Sequence, residues 1–108
     1  MYRIGIASSD GLAVDQHFGK VNRFLIVETD DAGGFTAVEE RHLIYRRNDE
    51  KQIFKNAALL TDCDYLLVSR IGENALNIFK NKGISVYEIP GLIENAVERL
   101  IKHIEFTK

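Results

Sequence analysis

Short apolar runs along the chain predict five β-strands. We expect these strands at residues 2–7, 24–27, 35–44, 65–68 and 84–89. The run Phe24-Leu25-Ile26-Val27 is continuously apolar, which is typical of a strand covered on both faces. The third run alternates weakly and is interrupted by Glu39, Glu40 and Arg41. Charges at these positions suit a strand at the edge of a sheet, where they discourage pairing with another chain.

Apolar residues at helical spacing predict three helices. The first stripe contains Ile53, Phe54, Ala57, Ala58 and Leu60. The second contains Ala75, Leu76 and Phe79, and the third contains Leu92, Ile93, Ala96, Val97, Leu100, Ile101 and Ile104. Asn48 or Asp49 can cap the first helix, and Gly83 is suited to a left-handed residue after the second. Each helix therefore has an apolar face to bury.

The predicted order of elements is β-β-β-α-β-α-β-α, which indicates an α/β protein. The β-α-β units at the end demand parallel strands with right-handed crossovers, and the beginning is a meander. The economical arrangement is a five-stranded mixed sheet of order 3-2-1-4-5. Only the second strand would be antiparallel, and helices would cover both faces. We expect one domain over residues 1–108, with no repeat or linker.

The longest connection, residues 8–19, is the best candidate for a site. Connections of this length in compact domains are usually functional or disordered. Leu12, Val14 and Phe18 are expected to anchor it to the domain. His17 supplies an imidazole at the sheet edge where ligands of open α/β folds bind. The alternative is that His17 only fastens the loop and that Gly19 only supplies a turn.

Basic residues are expected to gather at this same edge. They are Lys20, Arg23, Arg46, Arg47 and Arg70. A cluster of cations in a chain of net charge −2 indicates an anionic ligand. Each cation taken singly is better explained as a solvated loop charge.

Composition excludes several functions. The single cysteine, Cys63, rules out an iron–sulfur cluster held by four thiolates of one chain. Five strand residues at about 3.3 Å each would put Cys63 roughly 17 Å from the edge bearing His17. The net charge of −2 argues against a nucleic-acid binder. His42 and His103 are expected at the surface. Without an apolar run of membrane length or a signal-peptide pattern, we expect a cytoplasmic protein.

Several segments together resemble the dinitrogenase iron–molybdenum cofactor biosynthesis family. They are Ser9-Asp10-Gly11, Val14-Asp15-Gln16-His17-Phe18-Gly19, Asp62-Cys63-Asp64, Ile71-Gly72 and Lys82-Gly83-Ile84-Ser85-Val86. The resemblance covers nearly the whole chain and implies a ribonuclease-H-like fold. It also implies binding of the iron–molybdenum cofactor or an iron–sulfur precursor.

The resemblance assigns roles to particular residues. It makes His17 the histidine of cofactor contact and a metal ligand. We expect the cofactor-binding site around it to comprise Ser9, Asp15, His17, Phe18, Gly19, Arg70 and Gly72. Arg70 departs from the family pattern, which often has a small residue there. Its charge could add a contact to an anion, or its bulk could narrow the pocket.

Three functions fit these observations. The first is a non-enzymatic carrier of an anionic metallocluster, whose partners would be cluster-assembly or acceptor proteins. The second is a nuclease on a ribonuclease-H-like scaffold, but two-metal chemistry needs several converging carboxylates, and Asp10 and Asp15 are a thin set. The third is a regulatory or protein-interaction domain without a cofactor, which would use the His17 loop to grip its partner.

Overall fold

The computed structural model describes residues 1–44 and 50–107 of the chain. The strands are β1 Arg3–Ala7, β2 Ala13–Val14, β3 Arg23–Thr29, β4 Phe35–His42, β5 Tyr65–Val68, β6 Ser85–Glu88 and β7 Gly91–Leu92. The helices are α1 Glu50–Ala58, α2 Glu73–Asn81 and α3 Ile93–Thr107, and a short 3-10 helix spans Phe18–Lys20. The predicted α/β fold, with a five-stranded mixed sheet and three helices, is confirmed.

The five long strands form one sheet in the order β4-β3-β1-β5-β6. β1, β5 and β6 pair in parallel, whereas β3 is antiparallel to both of its neighbours, β1 and β4. Consequently β1, β4, β5 and β6 all end at the same edge of the sheet. The loops that follow β1, β5 and β6 begin at this edge, which we call the carboxyl edge.

Side chains alternate along the strands and build one core on each face of the sheet. α1 and α2 cover one face of the sheet, where Phe24 and Leu66 are buried together with Phe79 of α2. α3 covers the other face, where Ile4, Ile6 and Leu100 are buried. Side chains of neighbouring residues lie close to the backbone of β1 at Gly5. A Cβ added there would be 2.7 Å from Leu66 Cδ2 and 3.3 Å from Cys63 Sγ.

The buried face of α1 differs from the predicted one. Phe54 is 57% exposed, and Gln52 and Asn56 are buried instead. Gln52 donates to Asn56 Oδ1, and Asn56 donates to the carbonyl of Ile44, so these amides tie the helix to the end of the preceding segment. α1 is therefore oriented with Phe54 toward solvent, and the prediction that Phe54 belongs to the buried apolar stripe is wrong. The proposed caps Asn48 and Asp49 lie outside the described residues.

The segment after β6 is also more ordered than a plain turn. Gly91 and Leu92 form β7, which pairs antiparallel with Val14 and Ala13 of β2. α3 therefore begins at Ile93, and Leu92 is 58% exposed and does not belong to the buried stripe as predicted. Gly83 has a φ of 76°, as expected for the residue that ends α2.

Candidate functional site

The loop after β1 is joined by its backbone to the segment after β5. Ala7 O accepts from the N–H groups of Asp15 and Gln16, and Ser69 N donates to Gln16 O. Phe18 N donates to Arg70 O at 2.8 Å, and His17 and Arg70 form a parallel bridge. His17 and Arg70, which are 53 positions apart in sequence, are thus held as backbone neighbours at the carboxyl edge.

Two of the three predicted anchors hold the loop. Val14 and Phe18 are buried, and the Phe18 ring packs against Phe24 and Phe79 with ring centres 6.2 and 5.1 Å away. Leu12 is 69% exposed, so its prediction as an anchor is wrong. The backbone of Leu12 holds the loop instead, because its carbonyl accepts from Ile93 N. Burial of Phe18 leaves only its backbone at the edge.

The His17 imidazole is exposed but fixed in orientation. His17 is the N-cap of the 3-10 helix, and its Nδ1 accepts from Gly19 N at 3.1 Å. The ring packs closely on Gly19, since a Cβ there would lie 3.2 Å from both Nδ1 and Cε1. His17 Nε2 has no hydrogen-bond partner within the described part of the chain. The free nitrogen is therefore the one available to a ligand.

The structure describes three members of the predicted basic cluster, Lys20, Arg23 and Arg70. Arg70 and Lys20 are exposed, and their side chains pair with no other described residue. Arg23 instead pairs with Glu40 at 2.6 Å and donates to the carbonyl of Ser9, so its charge is already balanced. Arg46 and Arg47 lie outside the described residues. Of the three predicted cations that the structure describes, Lys20 and Arg70 are therefore available to an anion.

Ser9 and Asp15 are paired with each other. Ser9 N donates to Asp15 Oδ1 at 2.8 Å, and Ser9 Oγ donates to Asp15 Oδ2. Asp10 organises the same turn by accepting from the N–H groups of Leu12 and Ala13, and these bonds lower the pKa of its carboxyl. These side chains shape the loop that presents His17.

The amino end of α2 adds a positive dipole to this edge. Gly72 is its N-cap and provides no side-chain hydrogen bond. A Cβ at Gly72 would meet no atom within 4 Å. Just before it, Ile71 N donates to Glu88 Oε2 at 3.0 Å. The sequence predicts no role for Glu88, because the expected strand 84–89 continues one residue further, whereas the observed β6 ends at Glu88 and brings it to the carboxyl edge.

Gln16 belongs to a segment that carries the family resemblance, but the sequence predicts no role for its side chain. Its Nε2 donates to Asn22 Oδ1 at 3.2 Å. Its Oε1 is buried and has no hydrogen-bond partner in the described structure. The unpaired state of this oxygen is evident only from the three-dimensional structure, because a glutamine next to a histidine is not a distinctive sequence pattern.

The remaining candidate ligands lie elsewhere. Cys63 is 4% exposed within the core beneath Gly5, and burial raises the pKa of its thiol to about 12. His42 is exposed and its Nε2 lies 3.2 Å from Glu40, while the His103 ring contacts Tyr87. Among the described residues no group of three or more His, Cys, Asp or Glu could hold a metal ion.

The sequence of this chain matches a known protein family. The family model for dinitrogenase iron–molybdenum cofactor matches residues 1–103, and the chain belongs to that family. The predicted resemblance is thereby confirmed. The FeMo cofactor biosynthesis protein NifB of Chlorobaculum tepidum is 34% identical over 95 residues. The match covers 87% of this chain but only 22% of that protein.

Three solved structures share the fold. The crystal structure of PH0822 superposes with a TM-score of 0.74 at 23% identity. A Thermotoga protein provisionally named NifB and a Methanocaldococcus jannaschii protein provisionally named a dinitrogenase have TM-scores of 0.58 and 0.60, at 23% and 18% identity. Each match covers 94% of this chain and 89% of the other. Within the described residues, no helix has the length and apolar character needed to cross a membrane.

Proposed function

We propose that this domain is a non-enzymatic carrier that binds an anionic metal–sulfur cluster at the carboxyl edge. Its cargo would be the iron–molybdenum cofactor or an iron–sulfur precursor of it. The observation that carries this proposal is the exposed His17 imidazole, oriented by Gly19 and held beside Arg70, whose side chain has no partner among the described residues. Membership of the dinitrogenase iron–molybdenum cofactor family supports the choice of cargo.

The chemistry of the edge suits a cluster that must be released again. A neutral imidazole nitrogen is a good metal ligand, and His17 Nε2 is the unpartnered one. The remaining coordination would come from the cluster's own sulfides together with small-molecule ligands or a second protomer. Arg70, Lys20 and the uncapped amino end of α2 would balance its negative charge. Attachment through one side chain leaves few bonds to break when an acceptor protein takes the cluster.

The other predicted site residues receive distinct roles in this proposal. Gly19 orients the imidazole, and Gly72 leaves the first N–H groups of α2 open to the cluster. Ser9 and Asp15 fix the loop, and Phe18 anchors it in the core. The strand order supports a ribonuclease-H-like assignment for the scaffold. Cluster-assembly and acceptor proteins would be the partners on either side of the transfer.

Anaerobic titration with a synthetic four-iron, four-sulfide cluster tests the proposal, with extracted iron–molybdenum cofactor as a second cargo. Visible absorption and bound iron report uptake. We expect His17→Ala to fold normally and to lose at least about tenfold in affinity, the equivalent of about 1.4 kcal/mol. His42→Ala is the matched control, because His42 is also exposed and is bonded to Glu40 elsewhere. The control should bind like the wild type.

Two results would contradict the proposal. If the wild-type domain takes up neither cargo, the alternative of an interaction domain without a cofactor is favoured. If His17→Ala binds as well as the wild type, His17 does not belong to the site.

A further inference from the structure

The hydrogen bond between Gly19 and His17 determines which ring nitrogen carries the proton. A neutral imidazole has one N–H and one nitrogen with a free lone pair. His17 Nδ1 accepts from Gly19 N at 3.1 Å, so Nδ1 must supply the lone pair. The proton of the neutral ring is therefore on Nε2. In the cargo-free protein, the exposed nitrogen is a hydrogen-bond donor and has no lone pair for a metal.

This arrangement conflicts with metal binding at the same nitrogen. Nδ1 is closed to a metal because Gly19 N faces it and the ring packs on the Gly19 Cα. A metal must approach Nε2, which has no partner among the described residues. Nε2 can bind a metal only after losing its proton, and a neutral ring must then carry a proton on Nδ1. Two N–H groups, those of Gly19 and Nδ1, would then face each other.

We propose that cluster loading at His17 switches the imidazole tautomer and breaks the hydrogen bond to Gly19. The Nε2 proton leaves to solvent, Nδ1 takes one proton from solvent, and the vacated Nε2 lone pair displaces one terminal thiolate or water ligand of the cluster, which leaves to solvent. No net proton is gained or lost. Gly19 is thus a positioning residue that favours the cargo-free state. This inference rests on the proposed function, since it concerns how the same site is loaded.

The switch opposes binding and so assists release. A hydrogen bond of this kind contributes about 1 kcal/mol, which corresponds to roughly fivefold in affinity. Its loss also removes the N-cap of the 3-10 helix Phe18–Lys20, while the bond from Phe18 N to Arg70 O can persist. Loading would then loosen the tip of the loop and leave its anchored base in place.

The first test uses the cargo-free protein and does not depend on cluster binding. Long-range proton–¹⁵N NMR of histidine-labelled protein at about pH 8, above the usual imidazole range, reports the tautomer of each ring. His17→Ala assigns the signals. We expect His17 to be protonated on Nε2, and we expect Gly19→Ala to shift the ring population toward Nδ1–H, because the added Cβ displaces the ring. A wild-type His17 found with its proton on Nδ1 overturns the proposal.

The second test uses the synthetic cluster as the probe. Genetically encoded Nδ-methylhistidine at position 17 cannot accept from Gly19 and always presents a lone pair at Nε2. We expect it to bind about fivefold more tightly than the wild type, since the hydrogen bond is already lost. His17→Gln, which keeps an N–H donor near the Nε2 position, should lose binding. Retained binding by His17→Gln, with loss in the methylated protein, would show that His17 acts as a donor and would refute the switch.

The two tests separate this inference from the proposed function. If no protein binds the cluster but His17 is protonated on Nε2, the carrier function fails while the resting geometry stands. If the wild type binds and the methylated protein binds no more tightly, the carrier function stands and the switch is refuted. Hydrogen exchange at the Gly19 amide gives a further readout, because it should accelerate on loading only if the bond breaks.

Discussion

Substitution of Gly72 by Ser or Asp should stabilise the domain and, in one variant, impair cargo binding. Gly72 has a φ of −75° and a ψ of 158°, a backbone conformation open to any residue, and a Cβ there meets nothing within 4 Å. The glycine is therefore not required by the fold. It leaves the amino end of α2 without the side-chain cap that Ser or Asp would provide.

The magnitude follows from two effects. Replacing a glycine with an alanine in a compatible conformation stabilises a protein by about 0.4–1 kcal/mol, because the unfolded chain becomes less flexible. A capping side chain adds a few tenths of a kcal/mol relative to glycine. We therefore expect Gly72→Ser and Gly72→Asp to gain about 1 kcal/mol. Gly72→Ala should be close to neutral, because alanine is a poorer N-cap than glycine and this loss offsets the gain from the unfolded chain. For a domain of this size, about 1 kcal/mol raises Tm by roughly 4–8 °C.

The effect on binding distinguishes Asp from Ser. Both side chains are of similar size, but Asp places a negative charge where the proposed cluster's charge would lie. Unit charges about 4 Å apart repel by about 1 kcal/mol even in water, so Gly72→Asp should weaken cluster binding at least about fivefold more than Gly72→Ser does. Thermal unfolding followed by circular dichroism measures stability, and anaerobic cluster titration at two salt concentrations measures affinity.

Two outcomes would refute this reasoning. If Gly72→Asp and Gly72→Ser bind the cluster equally, the amino end of α2 does not face the cargo. If neither Gly72→Ser nor Gly72→Asp gains stability, the glycine conformation or the uncapped state of α2 is not as described. Lower salt should widen the difference between Asp and Ser, because ions screen exposed charges.

Three further substitutions test other parts of the structure. Arg70→Gly should weaken cluster binding a few-fold and flatten its dependence on ionic strength, because an exposed charge contributes about 1 kcal/mol or less; tighter binding would mean that Arg70 obstructs the pocket. Cys63→Ser should leave binding unchanged and cost some stability. Above about pH 9 the thiol loses its proton in the unfolded chain but keeps it in the folded protein, where its pKa is about 12. The free energy of unfolding of the wild type should therefore fall with rising pH more steeply than that of Cys63→Ser. Gly5→Ala should lose about 2 kcal/mol in urea unfolding, since its Cβ would lie 2.7 Å from Leu66; an unchanged midpoint would show that Leu66 can move aside.

Local patterning in the sequence was sufficient to predict the main elements. The apolar run Tyr65–Val68 has the bounds of β5, and Gly83 has the positive φ that its position after α2 predicted. These features depend on periodicity and backbone conformation, which are determined by residues close together in the sequence.

The resemblance to a family and the topology argument together pointed to the carboxyl edge. His17 was singled out because it lies in a long loop with apolar residues on both sides, and Val14 and Phe18 do anchor that loop. The role of His17 as a metal ligand remains a proposal. Its orientation by Gly19 could not be predicted, since a contact between positions two apart depends on the backbone angles of the loop.

Only the tertiary structure decided which charges and apolar residues remain free. Arg23 looks like Arg70 in the sequence, yet it is paired with Glu40 across two strands that the β3–β4 register brings together. Leu12 and Phe54 fit apolar patterns but face outward, because a β2–β7 pairing and a pair of buried amides fix the backbone around them. The periodicity of apolar residues predicts which face of a single helix or strand is buried. Contacts between segments that are distant in sequence decide which side chains are paired and which remain available to a ligand.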